Sequence, residues 1–165
     1  MLREARQPDW QQTQNLSYLE LLQRRLQEPP LTWVTQFVEL INQEIANGLF
    51  GELKSVSIND YGCNVGHFFR GIKDIIRSVT YRGFDVSETY LEVARQHFGT
   101  QDFRLLDISS SSSDKELPQS NIAVISATLE HLEDHQSAIR NIFSHTEQLV
   151  LLRTFVGDTS LTEWC

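Results

Sequence analysis

The sequence predicts an α/β fold in which a parallel sheet of about five strands lies between two layers of helices. Two observations carry this prediction. Beyond residue 51, short β-rich runs alternate with helical segments, which is typical of parallel strands joined by right-handed helical crossovers. Before residue 51, apolar residues recur at helical spacing, which predicts two helices ahead of the sheet. The 165 residues suffice for one domain with a substantial core.

Composition and charge restrict the class of protein. With 40% hydrophobic and 10% aromatic residues, the chain is not wholly disordered. It shows neither an apolar run of the ~20 residues that a membrane span requires nor a signal peptide. The net charge of −8 disfavours unspecific binding to nucleic acids or anionic membranes. Cys63 and Cys165 do not form a disulfide framework, which favours a reducing compartment and predicts a cytoplasmic protein.

Two helices are predicted at the N-terminus. The first spans 10–26 and ends at Pro29-Pro30, because proline lacks an N–H and restricts the residue before it. The second begins near Thr32 and ends at Asn47-Gly48. We interpret its apolar stripe as core packing. The stripe consists of Trp33, Phe37, Leu40, Ile41 and Ile45.

Strands and helices alternate through the rest of the chain. The strands are predicted at 56–61, 79–86, 102–106, 122–126 and 148–154. The helices are predicted at 66–77, 87–98 and 129–145, with Ser87 as an N-cap. The serine-rich stretch 109–114 is predicted to be a surface loop. We expect one compact domain, in which residues 1–53 form a helical cap and residues 54–165 form the sheet.

Acidic residues and glycines gather where the predicted strands end. Ligands of an open parallel sheet bind beyond the carboxyl ends of its strands, near the point where strand order reverses. Asp60, Asp85 and Asp107 stand at or near three of these ends. Gly62 and Gly66 flank the turn after the first strand, where glycine permits positive φ and close approach of a ligand. Each acid alone is also explained as a cap or turn former, but the set predicts a ligand site.

The spacing predicts a nucleotide cofactor that carries positive charge. Asp85 follows Gly62 by about 20 residues, where an acid commonly accepts hydrogen bonds from both ribose hydroxyls. We expect Asp107 to accept an adenine amino group at the next strand end. The dinucleotide fingerprint needs a middle glycine, and Asn64 stands there instead. Asp60 would also lie close to a pyrophosphate, so the residues disfavour NAD and favour a cationic cofactor.

Four motifs in order resemble those of class I S-adenosylmethionine-dependent methyltransferases, which have a Rossmann-like fold. Residues 56–67 read VSINDYGCNVGH and are similar to the first motif, usually Asp-hydrophobic-Gly-Cys-Gly-x-Gly. Residues 81–87 read YRGFDVS and resemble the second-strand motif. Asp107-Ile108 matches the adenine-side position, and 125–132 read ISATLEHL, which resembles the fourth-strand motif. Asn64 departs from the pattern, but asparagine tolerates left-handed backbone better than most residues.

The resemblance implies S-adenosylmethionine as the cofactor and assigns residues to it. The turn after the first strand would line the methionine end through its backbone, and Asp60 would orient that turn or meet the amino group through water. Asp85 would hold the ribose, and Asp107 and Ile108 would bracket the adenine. Ser126 and Ala127 would lie near the sulfonium. The full expected set is Asp60, Gly62, Cys63, Asn64, Gly66, Asp85, Val86, Asp107, Ile108, Ser126 and Ala127.

His131 is the predicted catalytic base, since it lies at the rim where an acceptor should approach and imidazole titrates near neutral pH. Capping or packing is the alternative role for this side chain. Glu130, His131 and His135 also resemble a metal cluster. However, the small-RNA 2′-O-methyltransferases with such a pair carry another Glu at the position of Ala127, so we expect no metal.

The resemblance implies in-line methyl transfer to a small-molecule or glycan-precursor acceptor. The alternatives are an RNA or tRNA methyltransferase and a non-catalytic cofactor-binding subunit of a complex. The family's sheet usually has seven strands, whereas this sequence predicts five and lacks the last two. A bare edge strand invites pairing, so we expect a second copy or a partner subunit at the open edge and no membrane.

Overall fold

A computed structural model describes residues 16–51, 55–73, 79–99, 102–110, 115 and 117–154. Its helices are α1 (Leu16–Arg25), α2 (Thr32–Ala46), α3 (His67–Ile72), α4 (Glu88–Phe98) and α5 (His135–Ser144). Its strands are β1 (Val56–Tyr61), β2 (Val79–Asp85), β3 (Asp102–Leu105), β4 (Ser120–Ser126) and β5 (Thr146–Arg153). In the described parts of the chain, no helix has the length and apolarity to cross a membrane.

The five strands form one sheet in the order β3-β2-β1-β4-β5, and every neighbouring pair is parallel. Strand order reverses between the central strands β1 and β4. From β1 the chain continues to β2 and β3 on one side of this pair, and from β4 it continues to β5 on the other side. That point is the expected ligand crevice of a doubly wound sheet. The predicted α/β fold, with five parallel strands and two leading helices, is confirmed.

Each face of the sheet packs against its own helices. Ile58 and Val124 lie in the cluster that α2, α3 and α4 cover, whereas Tyr61 and Ile125 lie in the cluster that α5 covers. Neighbouring residues of β4 therefore enter different clusters, as the two-residue period of a strand requires. The stretch Ile122 to Ile125 is almost wholly buried, which agrees with a strand covered on both faces.

The stripe predicted for α2 is partly wrong. Phe37 and Ile41 are buried and Trp33 is half-buried, but Leu40 and Ile45 are exposed. The buried face is Val34, Phe37, Val38 and Ile41. This set also has helical spacing. Compared with the predicted stripe, the buried face is rotated about the helix axis by about one residue. Composition alone does not decide between two overlapping stripes, because both are apolar.

The helix predicted over 129–145 is wrong in its first part. Leu129–His131 form a single 3-10 turn, and Leu132 has extended backbone with ψ 133°. The α-helix begins only after Asp134, whose carboxylate accepts the Ser137 N–H at 2.9 Å. Because this cap stabilises a helix that begins at His135, it competes with the predicted helix that would begin at Leu129. The ends predicted at residues 10 and 77 and most of the serine loop lie outside the described residues.

Candidate functional site

The ends of β1 and β4 meet at the strand-order reversal. The Thr128 hydroxyl, just beyond β4, lies 3.4 Å from the Tyr61 carbonyl oxygen and 3.2 Å from that of Ser126, within donating distance of both. Its side chain occupies the space where a Cβ on Gly62 would stand. Glycine at position 62 is therefore required by a close contact between the two strand ends as well as by its φ of 73°.

The loop 62–66, which joins β1 to α3, uses left-handed backbone three times. Gly62, Asn64 and Gly66 have φ of 73°, 54° and 88°. Asn64 thus adopts the conformation that the sequence predicted it to tolerate. Its side-chain oxygen accepts the N–H of Val65 at 2.7 Å, which holds the strained residue in place.

All five N–H groups of loop 62–66 donate within the protein. Two of them bond the Phe84 carbonyl at 2.7 and 3.0 Å, and a third bonds Asp85 Oδ2 at 2.8 Å. The other two bond acceptors inside the loop. A phosphate-binding loop keeps its N–H groups directed at the anion. The backbone N–H groups of loop 62–66 are therefore not directed at a ligand, which disfavours a pyrophosphate at this loop.

Asp60 lies one residue before the end of β1 and is only 3% exposed. The Tyr81 hydroxyl donates to its Oδ2 at 2.6 Å. The pKa of Asp60 is raised to about 7, chiefly by burial; the Tyr81 hydrogen bond lowers it, and the nearby charge of Asp85 adds to the rise. The site therefore contains an acid that gains or loses its charge near neutral pH.

Asp85 is the last residue of β2, and its carboxylate links loop 62–66 to the start of α4 through hydrogen bonds. It is 8% exposed, its Oδ1 accepts the Ser87 N–H at 2.9 Å, and its Oδ2 accepts the Asn64 N–H at 2.8 Å. Burial raises the pKa of Asp85, and these backbone N–H groups oppose the rise. A carboxylate accepts about four hydrogen bonds, so with the Ser87, Asn64 and Val86 N–H groups bound it can still accept one from a ligand hydroxyl.

The residues expected around adenine divide between surface and core. Val86 and Asp107 are exposed, and Asp107 Oδ1 accepts the N–H and the hydroxyl of Ser109 at 2.9 and 2.6 Å. Ile108 is buried, with its side chain in the cluster that contains Tyr61. A ligand at this edge would therefore meet Val86 and the backbone of 107–108 before it met the Ile108 side chain.

The end of β4 is held by Arg153 of β5. Arg153 Nη1 donates to Ser126 Oγ at 3.2 Å, and the Arg153 carbonyl accepts the Ala127 N–H at 2.8 Å. Ala127 has a φ of 53°. Left-handed backbone costs a non-glycine residue about 1 kcal/mol and is frequent at functional sites. The sequence named Ser126 and Ala127, but only the structure reveals this conformation.

His131 and Glu130 follow on the 3-10 turn. His131 is exposed, whereas Glu130 is half-buried and its Oε2 accepts the Thr154 hydroxyl at 3.0 Å. Glu130 Oε1 is enclosed and has no hydrogen-bond partner among the described residues. Within the described ranges, no three His, Cys, Asp or Glu residues are grouped so as to hold a metal ion.

Sequence reasoning missed several residues that shape this site. Besides Tyr81 and Thr128, they include Gly83, because a Cβ there would stand 2.8 Å from both Cys63 Sγ and Phe103 Cδ1. Cys63 is itself buried, and burial raises the pKa of its thiol well above the usual range. These contacts join residues about 20 to 70 positions apart in chain, so periodicity carried no signal for them.

Comparison with protein families gives one match. The model of the family described as "Methyltransferase domain" matches residues 60–148, which include the loop after β1 and the ends of β2 and β4. A comparison with curated proteins finds no match.

Several solved structures with a similar fold are methyltransferases. The S-adenosylmethionine-bound amino pentose methyltransferase CalS10 from Micromonospora echinaspora has a TM-score of 0.63 at 14% identity, over 87% of this chain and 59% of that one. The plantazolicin methyltransferase BpumL, with S-adenosylhomocysteine (SAH), scores 0.61 at 19% identity, over 84% and 51%. The magnesium protoporphyrin IX methyltransferase ChlM from Synechocystis PCC 6803 scores 0.58 at 18%, over 84% and 72%.

These identities establish the fold alone. The chain spans about half the length of the first structures that it matches, at 50% and 51%. The family match establishes more than the fold, because the matched residues 60–148 make up more than half of the 165-residue chain. With its motifs, its strand order and this match in agreement, the chain belongs to the methyltransferase-domain family.

Proposed function

We propose that the protein is an S-adenosylmethionine-dependent methyltransferase. The observation that carries the proposal is the chemistry of the site: every N–H of loop 62–66 is used internally, while Asp60 and Asp85 lie beside the loop. Such a site suits a ligand with a sulfonium, an ammonium and a ribose diol. S-adenosylmethionine or SAH is bound in the similar structures CalS10, BpumL and ChlM, which supports the same cofactor here.

The cofactor residues follow from where the strands end. Asp85 accepts from the ribose hydroxyls with the lone pairs that its backbone bonds leave. Loop 62–66, including Cys63, lines the methionine end, and Asp60 provides negative charge behind it. Val86, Asp107 and Ile108 lie on the adenine side. Residues 1–53 form a cap over the cofactor domain 54–165, which is supported by the packing of Leu22 and Leu26 of α1 against Val65 of the loop.

The cofactor supplies an electrophilic methyl group, so the chain's task is to orient an acceptor in line with it. Ser126 and Ala127 lie near the transferred methyl group. His131 removes a proton from an acceptor that is not acidic enough to lose it unaided. Its exposed position on the rim beyond β4 supports this role.

The acceptor is a small molecule or a glycan precursor. The net charge of −8 supports this class over RNA, because a polyanion would be repelled. CalS10 acts on an amino pentose, a compound of that kind. Methylation of RNA or tRNA and a non-catalytic cofactor-binding role are the alternatives. The two cysteines, with Cys63 a free buried thiol, support a cytoplasmic location.

Methyl transfer from labelled S-adenosylmethionine tests the proposal. Wild-type protein is incubated with a metabolite fraction and, separately, with total RNA, and label is expected in the metabolites. His131→Ala should keep cofactor affinity and lose about 10²-fold or more in turnover if it removes a general base. Gln136→Ala, on the exposed start of α5, is the control. Label in RNA alone would favour the first alternative, and no label with intact cofactor binding would favour the second.

A further inference from the structure

Arg153, the last residue of β5, is held beside the crevice from two sides. Its Nη1 donates to Ser126 Oγ at 3.2 Å, and its Cζ lies 6.0 Å from the centroid of the Trp33 ring in α2. The Trp33 ring in turn stacks on Phe68 at 6.0 Å between centroids and meets Phe37 edge-on at 5.6 Å. A cation over an indole face is attracted to the ring. The helical cap and the end of β4 therefore fix the position of this half-buried guanidinium.

Arg153 lies on the face of the sheet to which loop 62–66 leads. Val124 of β4 and Leu151 of β5 pack in the cluster that α2, α3 and α4 cover. Ser126 and Arg153 are paired and lie two residues further along these strands, so their side chains point to the same face. Loop 62–66 joins β1 to α3 on this face, and neighbouring strands are only about 4.8 Å apart. A ligand that rests on the loop therefore lies within reach of a guanidinium at the end of β4.

The donors of Arg153 match a group that the loop leaves unsatisfied. The methionine end of S-adenosylmethionine carries an ammonium and a carboxylate. Every N–H of loop 62–66 donates within the protein, so the carboxylate finds no backbone donor there. Asp60, buried beside the loop, has the charge for the ammonium but not for the carboxylate. A guanidinium offers five N–H donors in a planar fork that fits a carboxylate, and it bonds several partners at once.

We propose that Arg153 binds the carboxylate of the cofactor's methionine end and that Trp33 holds the guanidinium in place for it. Arg153 in β5 and Trp33 in the helical cap thereby join the cofactor site, an assignment that rests on the proposed function. The zwitterion lies between opposite charges, with its ammonium toward Asp60 of β1 and its carboxylate toward the guanidinium at the end of β4. This arrangement selects a nucleoside that carries an amino acid over one that carries only an amine.

Isothermal titration with two ligands tests the assignment: S-adenosylmethionine, and decarboxylated S-adenosylmethionine, which lacks only the carboxylate. Wild-type protein should bind the first at least about tenfold more tightly, the effect of a charge-assisted hydrogen bond. Arg153→Met, which keeps an unbranched apolar side chain against Trp33, should lose this preference by weakening the first ligand alone. Arg153→Lys should retain part of it, because lysine keeps the charge without the fork. Trp33→Leu should reduce it as well, since the guanidinium loses its contact with the indole.

Arg140→Met is the matched control, because Arg140 also donates to a serine hydroxyl, Ser137 Oγ at 3.0 Å, but on the exposed side of α5. It should keep the wild-type preference, and a loss of preference there would overturn the proposal. So would equal losses of both ligands in Arg153→Met, which indicate a structural role. An unchanged preference in Trp33→Leu would overturn the role of the indole. Wild-type protein that binds both ligands alike would overturn this proposal and leave the proposed function intact, whereas wild-type protein that binds neither would overturn both.

Discussion

At the scale of single residues, Asp60 makes the stability of the protein depend on pH. Its pKa is about 7 in the folded protein and 3.8 in an unfolded chain, so between these values the folded state holds a proton that the unfolded state has lost. The free energy of unfolding therefore falls as the pH rises from about 4 to about 7, by at most about 1.4 kcal/mol per pH unit, and levels off above that range.

Asp60→Asn should remove this part of the slope, because an amide does not titrate and still accepts the Tyr81 hydroxyl. Urea unfolding at pH 5 and pH 8 measures the effect. We expect the variant to gain stability relative to wild type at pH 8 more than at pH 5. Tyr81→Phe should raise the pKa of Asp60 and extend the loss of stability to higher pH, since the lost bond favours the charged form. Equal slopes for wild type and Asp60→Asn would contradict the assignment.

At Gly62, the contact with Thr128 should contribute more to the cost of a substitution than the left-handed backbone does. Gly62→Ala should cost about 1 kcal/mol for left-handed backbone and about 1–3 kcal/mol more for the collision with Thr128. Gly51→Ala is the matched control, because Gly51 has a φ of 58° and no described neighbour within 4 Å of where its Cβ would stand. Chemical denaturation should rank Gly62→Ala well below Gly51→Ala, and Thr128→Ala should restore part of the loss. Equal effects at both glycines would refute the contact.

At the scale of elements, caps explain which helix ends could be predicted. Ser87 was predicted as the N-cap of α4, and its Oγ accepts the Tyr90 N–H at 3.4 Å. The cap at Asp134 was missed because the apolar pattern runs on through Leu129 and Leu132 without a break. Periodicity reports the face that a segment buries, but a competing cap decides where a helix begins.

The Ser87 cap should stabilise α4 without touching the ligand chemistry. Ser87→Ala should lower the free energy of unfolding by about 1 kcal/mol. Its backbone N–H still donates to Asp85, so cofactor affinity should change little. Thermal and urea unfolding measure the loss, and Ser87→Thr should recover most of it. A Ser87→Ala protein as stable as wild type would show that this 3.4 Å bond contributes nothing.

At the scale of the whole molecule, the fold was predictable because strand and helix patterns alternate clearly from residue 56 onward. The positions of Asp85, Gly62 and Gly66 at the crevice followed from the same pattern, since parallel strands share one carboxyl edge. The contacts that shape the crevice did not follow from it. Tyr81 bonds Asp60, Thr128 contacts Gly62 and Arg153 bonds Ser126, and these three residues come from different strands or strand ends. The burial of the Ile108 side chain could not be predicted either, because a strand-end position does not reveal which way a side chain packs.

We expect the crevice to bind S-adenosylmethionine through hydrogen-bond acceptors. Isothermal titration of wild-type protein with S-adenosylmethionine and with NAD tests it most directly. We expect binding of the first and none of the second. Asp85→Ala should weaken the affinity at least about tenfold, or 1.4 kcal/mol, with Asp85→Asn in between and circular dichroism unchanged. Wild-type protein that binds NAD but not S-adenosylmethionine, or an Asp85→Ala variant that binds as tightly as wild type, would contradict the account.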